Sequence, residues 1–463
     1  MSALWLGWMW LAACGGDDSP GDGPSSVGES ASTATTADTA DTDDTDDTTP
    51  TPTETSVEAL LVALSNRGID ANEGHISFTA ADDCCAWDTC LHINPGAEYA
   101  TYALPPGPGE YIGDRNPDEL GRILSWRLRE DEAVIYVGPP PPGTAYTSFR
   151  TYIHDVAAVG GGRAMSFANL GDSLNQLVWD VNPDGTLIVV TTANQETLDR
   201  VRDAAAAVGW PVVSVDGIPG AIPDMGLDQA ADTYHTTLRM VGLDRAVVDP
   251  WIAAPTAQVF RLTPDQPLSL GVLELGSRAP ASLPPLDDDL SPLEGAIAAT
   301  FPEHDAASLA LEPLQPPDEG LCWAGCNRDV SYRVSTPALV TDDEILVAYG
   351  VDPASVGRVT WTAVVMHGMG NSDSAGAFGT ADLAGTARSY LPGAPEGHYA
   401  VAFSRDCTDV PNCTTIPDTC PGIDPDEEAR IVWRHYLDPV TGTFAPYENL
   451  GTQGILRLTP RKN

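Results

Sequence analysis

Leu187-Ile188-Val189-Val190 and Pro211-Val212-Val213-Ser214-Val215 bracket the stretch whose reading decides the fold. Each is a short apolar run of strand length. Between them Leu198, Val201, Ala205 and Val208 recur at helical spacing, which marks one buried face of a helix. Thr192 and Gln195 can form its capping box, and Gly209 ends it. Strand, helix and strand with short connections make a βαβ unit, whose strands run parallel through a right-handed crossover.

Working outward, Asn116-Pro117-Asp118-Glu119 reads as a helix start, followed by Leu120, Ile123, Leu124 and Leu128 on one face. Further helices are expected at Ser173 to Trp179, capped by Asp172, and at Gln229 to Met240. Val57 to Leu64 fits a strand or a short helix. Ala133 to Val137, Gln258 to Leu262 and Leu268 to Leu275 read as strands. Beyond Cys326 the segments Val330–Val334, Ile345–Tyr349, Val359–Val365, Tyr399–Phe403, Ile431–Tyr436 and Ile455–Leu458 are β-like and broken by Gly, Pro and Asp, as an antiparallel sandwich requires. The expected fold class is α/β with a β-rich C-terminal half: a mixed parallel sheet flanked by helices, packed with an antiparallel sandwich-like part. Its expected divisions are an α/β region at 57–265, a Pro/Asp-rich connector at 266–329 and a β-rich region at 330–463. Phe260-Arg261-Leu262-Thr263-Pro264 is echoed by Leu456-Arg457-Leu458-Thr459-Pro460. The echo is either chance or the trace of two halves that end in equivalent strands.

The chain has 463 residues and a net charge of −43. All 23 basic residues and 55 of the 66 acidic ones follow residue 56, leaving −32 on that part. Such a field repels phosphate backbones, which argues against a nucleic-acid partner. Lys462 is the only lysine. That composition suits a protein kept soluble in salt, or a GC-rich genome.

Leu4, Trp5, Leu6, Trp8, Met9, Trp10 and Leu11 form an apolar run that closes on Leu11-Ala12-Ala13-Cys14. The run is too short for a membrane span and resembles a bacterial lipoprotein signal peptide (residues 1–14) ending in a lipobox. No Lys or Arg precedes Leu4, a departure from the usual basic start. The resemblance implies acylation of Cys14 and a lipid bilayer as partner. It places the chain in the cell envelope, lipid-anchored on the outer side of the cytoplasmic membrane, in the outer membrane or on the cell surface. Gly15 to Ser56 is rich in Thr and Asp and has no aromatic residue, so it cannot offset chain entropy by burial. It is expected to be a disordered acidic linker spanning roughly 35 Å at coil statistics.

Eight further cysteines, Cys84, Cys85, Cys90, Cys322, Cys326, Cys407, Cys413 and Cys420, form an even set, as a disulfide framework in an exported chain would. The simplest pairing closes Cys322 with Cys326, one pair within 407–420 and one within 84–90. It leaves a bridge between the first and last clusters.

Gly171-Asp172-Ser173-Leu174 and Asp232-Thr233-Tyr234-His235 resemble the serine block and the Asp-x-x-His of GDSL-type esterases. The resemblance implies Ser173 as nucleophile, His235 as its base and Asp232 as the orienting carboxylate. In that family the two blocks lie near opposite ends of the domain, whereas here about sixty residues separate them. The alternative for Ser173 is a place at a helix start. Alternation along Phe149 to Asp155 puts Arg150, Tyr152 and His154 on one strand face, a candidate site for an anionic or sugar ligand, or a solvated face. His367 stands at a strand end. Gly160-Gly161-Gly162-Arg163 lacks the Lys-Ser/Thr of a P-loop. Asp70-Ala71-Asn72-Glu73-Gly74 and the acidic loop from Cys407 to Glu428 offer oxygen ligands for a structural Ca²⁺ without the twelve-residue loop pattern; no other cofactor is indicated. Phe149–Asp155, Leu170–Asn175 and Trp433–Pro439 are similar to an uncharacterised family of secreted bacterial and fungal proteins, over most of residues 110–460. The similarity implies export and one integrated fold. Three functions follow as expectations: an envelope lipoprotein with a structural or binding role, an exported serine hydrolase, and a calcium-dependent adhesin. A protein or glycan partner has no signature of its own.

Overall fold

The computed structural model describes residues 56–462 except 80–92, 114, 116, 159–160, 221, 270, 272, 274, 287, 315–326, 371–373 and 420–421. The described chain is a β-rich, sandwich-like fold. The first half runs α1 (Val57–Ser65), β1 (Ile69–Glu73), β2 (His75–Thr79), β3 (Ala97–Ala103), β4 (Ala133–Gly138), β5 (Thr144–Ala157), β6 (Arg163–Asn169), β7 (Leu174–Asn175), β8 (Leu187–Thr192), α2 (Gln195–Ala207), β9 (Ser214–Gly217), β10 (Thr233–Leu243), α3 (Arg245–Ala253) and β11 (Gln258–Pro264). The second runs α4 (Ser291–Thr300), β12 (His304–Ser308), β13 (Leu311–Leu314), β14 (Val330–Ser335), β15 (Ala338–Leu339), β16 (Ile345–Val351), β17 (Trp361–Gly368), β18 (Ser374–Gly379), α5 (Thr380–Leu383), β19 (His398–Ser404), β20 (Cys413–Thr415), β21 (Glu428–Tyr436) and β22 (Gln453–Pro460).

The two halves repeat one topology. In the first, an outer sheet of order β1-β11-β4-β8-β9 faces an inner sheet β2-β3-β10-β5-β6. In the second, the outer sheet β12-β22-β16-β19-β20 faces the inner sheet β13-β14-β21-β17-β18. Position by position these are the same orders, and the echoed segments are β11 and β22, second strands of the two outer sheets. Among the described residues the single parallel pair in each half also coincides: β8 with β9, and β19 with β20. The link between the parallel strands differs. In the first half it carries α2, whose N-cap is Asn194, bonded to Thr197 N at 3.0 Å. In the second half residues 405–412 suffice, closed by the Cys407–Cys413 disulfide.

Alternation along each strand fills the layers. Val134, Tyr136 and Val189 of the first outer sheet meet Phe149, Leu238 and Met240 of its inner sheet. Ile135, Ile188 and Leu262 on the opposite face share a cluster with Leu60 and Leu64 of α1 and with Leu198 and Val201 of α2. Val364 and Trp433 face Phe403 and Ile455 in the second half. The inner sheets then pack on each other, with Ala97, Tyr146 and Val241 against Trp361, Val365 and Tyr436. The rings of Tyr146 and Tyr436 are 4.8 Å apart. Removing two large apolar faces from water this way stabilises each half only in the presence of the other.

Several sequence expectations are corrected. Residues 117–128 form turns and isolated bridges rather than a helix, and Leu120 and Leu124 are exposed. Ser173–Trp179 holds the short strand β7, and Gln229–Met240 enters β10; pairing with β5 overrides their helical spacing. The described residues of 268–275 are not in a strand. Among the described residues the parallel sheet shrinks to one pair per half, and the first half is as β-rich as the second. The connector at 266–329 ends well before residue 329, because α4, β12 and β13 already belong to the second sandwich.

Candidate functional site

β5 runs along the inner sheet with Phe149 and Ile153 in its own core, so Tyr146, Ser148, Arg150, Tyr152 and His154 turn to the other face. Arg150 does not stay there as a ligand-binding group. Its Nη1 donates to Asp216 Oδ1 at 3.0 Å and to the Asp172 carbonyl at 3.1 Å. The hydroxyl of Thr151 takes the other Asp216 oxygen at 2.6 Å. Arg150 is a buried strut between the sheets, and burial holds its pKa below the ordinary arginine value, with Asp216 opposing.

Tyr152 and His154 do belong to a cluster, organised by a β-bulge. Ile153 pairs with Ala168 and Asp155 with Met165, so Ser166 and Phe167 together oppose His154. Phe167 takes a φ of +42°, a left-handed conformation that is costly for a bulky residue. The bulge aims its ring onto Tyr152, stacked at 4.9 Å and 21°. The ring of His235, from β10, lies 5.5 Å from Phe167 and 5.9 Å from His154. Tyr152 is buried at the base of the cluster, while Phe167 and His235 are partly exposed and 26% of the His154 side chain is exposed.

Its polar edges are fixed. His154 Nδ1 lies 3.0 Å from Asp155 Oδ2, which also accepts from Thr233 Oγ1 at 2.6 Å. Burial alone would raise the Asp155 pKa, but the hydrogen bonds from His154, Thr233 and Arg163 hold it well below the usual carboxylate range. His235 Nδ1 sits 3.3 Å from Thr101 Oγ1. Burial, then the neighbouring His154, push its pKa down to about 3, so it is neutral at physiological pH.

Ser173, Asp232 and His235 have separate partners. Ser173 precedes β7, and its hydroxyl donates to Asn327 Oδ1 at 2.9 Å. Asp232 Oδ2 accepts from Asp224 N at 2.9 Å, and burial raises its pKa. In the expected helix, Asp232 and His235 would share a face; in an extended chain, residues three apart point to opposite sides. Tyr234 accordingly enters the core while His235 joins the aromatic cluster.

Ser173 is instead part of a junction between the halves that sequence patterning missed. Asp329 accepts from Asn175 Nδ2 at 2.8 Å and from Tyr146 OH at 3.1 Å. Arg278 Nη2 donates to its other oxygen at 2.9 Å, and Asn327 Nδ2 donates to Tyr146 OH at 2.8 Å. Asp329 is fully enclosed, and burial pushes its pKa up to about 6 against the pull of Arg278, Asn175 and Tyr146. Neither Asn327 nor Asp329 stands in a recognisable motif. Phe167 was equally silent, since a bulge leaves no periodic trace. At the far end of the inter-sheet face His367 shares hydrogen bonds with Ser374 Oγ (2.7 Å) and Arg434 Nη2 (2.9 Å).

Among the described residues no group of three or more His, Cys, Asp or Glu could hold a metal. Asp70, Asn72 and Glu73 are residues of β1 paired with β11. No described helix is long and apolar enough to cross a membrane. Cys14, Cys84, Cys85, Cys90, Cys322, Cys326 and Cys420 lie outside the described residues.

No family model matches the chain, and no curated protein matches it. Two solved structures are similar at a low level. The N-terminal CBM22-1-CBM22-2 tandem domain of Paenibacillus barcinonensis Xyn10C shares 8% identity over 86% of this chain and 87% of its own, with a TM-score of 0.13. The B domain of a biofilm associated protein shares 10% identity over 78% and 72%, with a TM-score of 0.14.

Proposed function

We propose that the chain is an envelope-anchored binding protein. Acylated Cys14 holds it at a bilayer, residues 15–56 space it outward, and the fused pair of sandwiches presents a His154–Phe167–His235 face, backed by the buried Tyr152 ring, to a glycan. The observation that carries this reading is the backbone of Phe167. A bulky residue stays at positive φ only where its surroundings over-determine it, and such positions gather at ligand sites. Here the strain assembles a half-exposed aromatic face beside fixed polar groups, the pairing that suits the apolar face and hydroxyl rim of a sugar ring. The net charge favours a neutral glycan over an anionic one. The hydrolase reading finds less support, since the proton of Ser173 is directed to the Asn327 amide oxygen. Electrophoresis of the full chain through gels containing xylan, mixed-linkage β-glucan or glycogen tests the proposal. Retardation by one of them, lost in Phe167→Ala, is expected. No retardation, or retardation unchanged in a folded Phe167→Ala, overturns it.

A further inference from the structure

A concave site lies in the second sandwich, where α4, β14, β16 and β22 approach one another. It is a cavity of about 450 Å³, within the range of small-molecule sites. Arg333 and the apolar Leu311 and Ile455 line it together with Glu294, Asp288 and Tyr349. The internal repeat supplies a control for its meaning. Arg239 pairs with Tyr99 as Arg434 pairs with Tyr332, so Arg333 stands where the first half has Ala100. By the same counting from the echoed strands, Tyr349 stands where the first half has Val137.

The first half closes this region with apolar packing. Trp251 of α3 shares the core with Ala100 and Val259 and meets Phe78 edge-on at 5.6 Å. In the second half the chain between β21 and β22 has no such tryptophan. Tyr447 lies under the Arg333 guanidinium at 5.9 Å instead, and the Arg333 Nε–H is buried without a hydrogen-bond partner. Gly454 belongs to the same design, because a Cβ there would come within 2.4 Å of the Tyr349 ring that lies across it. On the carboxylate side Glu294 accepts from Ser308 Oγ at 3.1 Å, and Asp289 holds Ser291 N at the start of α4 at 3.0 Å.

We infer that this cavity binds a small zwitterion, its carboxylate on Arg333 and its ammonium group toward Glu294 and Asp288, with an aliphatic spacer over Leu311 and Ile455. A half-buried cation with an unpartnered N–H calls for an acceptor. An anion alone would meet the carboxylates opposite, and a cation alone would meet Arg333. The charge pattern therefore selects a ligand of both signs.

The test is calorimetry on the full chain with 6-aminohexanoate as probe, and with hexanoate, hexylamine and galacturonate as comparisons. Saturable binding of 6-aminohexanoate is expected, about tenfold tighter than of hexanoate or hexylamine, and weakened about tenfold or more in Arg333→Met and in Glu294→Gln. Phe167→Ala leaves it unchanged, which separates this site from the proposed glycan face. Should Arg333→Met fail to fold, the comparison of ligands on the wild type decides alone. Absent binding, hexanoate or hexylamine equal to the zwitterion, preference for galacturonate, or undiminished binding in a folded Arg333→Met overturns the inference.

Discussion

Arg261 and Arg457 hold the same place in two copies of one sandwich. Arg261 Nη2 donates to Glu132 at 2.8 Å and Arg457 Nη2 to Glu344 at 2.8 Å. In both copies the threonine two residues on gives its hydroxyl to that glutamate, Thr263 at 2.7 Å and Thr459 at 3.3 Å. Both glutamates also accept a backbone N–H from three residues before them. The copies differ in burial. Arg261 is 1% exposed and adds a second carboxylate, Glu110, at 2.7 Å, whereas Arg457 is 30% exposed.

That difference sets a first prediction. Truncating Glu132 to Ala leaves an enclosed guanidinium with half its compensation, a change that costs about 3–5 kcal/mol. Glu344→Ala leaves Arg457 in reach of water and costs about 1 kcal/mol in the ion pair, plus the loss of the threonine and backbone bonds. Urea unfolding of the two variants should rank them in that order, and equal losses would contradict the burial argument.

The repeat explains how much of this fold was legible. Four residues in a row coincide at β11 and β22, where that strand, its glutamate and its threonine form one bonded unit in each half. Elsewhere the two halves differ: Arg333 stands where the first half has Ala100, and the α2 crossover corresponds to a disulfide-closed loop. Strands with continuous apolar runs were readable because both their faces are covered. The helices expected at 117–128, 173–179 and 229–240 were not there, since apolar spacing over one or two turns cannot distinguish a helix from turns with isolated bridges, as at 117–128, or from strands such as β7 and β10 that pair with β5. Tyr152 and His154 could be picked out by alternation; their neighbours Phe167 and His235 depended on a bulge and on a distant pairing.

Ser173 offers a second test. Its bond to Asn327 joins the two copies, so Ser173→Ala should cost about 1 kcal/mol of stability and leave any slow turnover of p-nitrophenyl acetate unchanged. A loss of activity by orders of magnitude, with stability retained, would restore the nucleophile reading.

The tether makes a third. Cys14→Ala removes the only acylation site that the lipobox reading provides, and a chain otherwise held by acyl groups should move to the soluble fraction. Unchanged membrane fractionation of the variant would remove the anchor from the proposal.

Asp329 gives the junction a pH dependence whose sign can be worked out. Its folded pKa of about 6 lies above the ordinary value of 3.8, so between those values the folded chain holds a proton that the unfolded chain has released. Stability from this group is therefore greatest below pH 3.8 and is lost as pH rises through 6, by on the order of 3 kcal/mol. His235 acts oppositely: with a folded pKa of about 3, it favours folding above pH 6.5 and withdraws that support as pH falls toward 3. Comparing wild type with Asp329→Asn isolates the first effect. From pH 4 to pH 7 the wild type should lose stability relative to the variant, while the donors Arg278, Asn175 and Tyr146 lower both curves or raise both without changing that difference in slope. Parallel curves would show that the carboxylate is already ionised at pH 4, its three donors outweighing its burial.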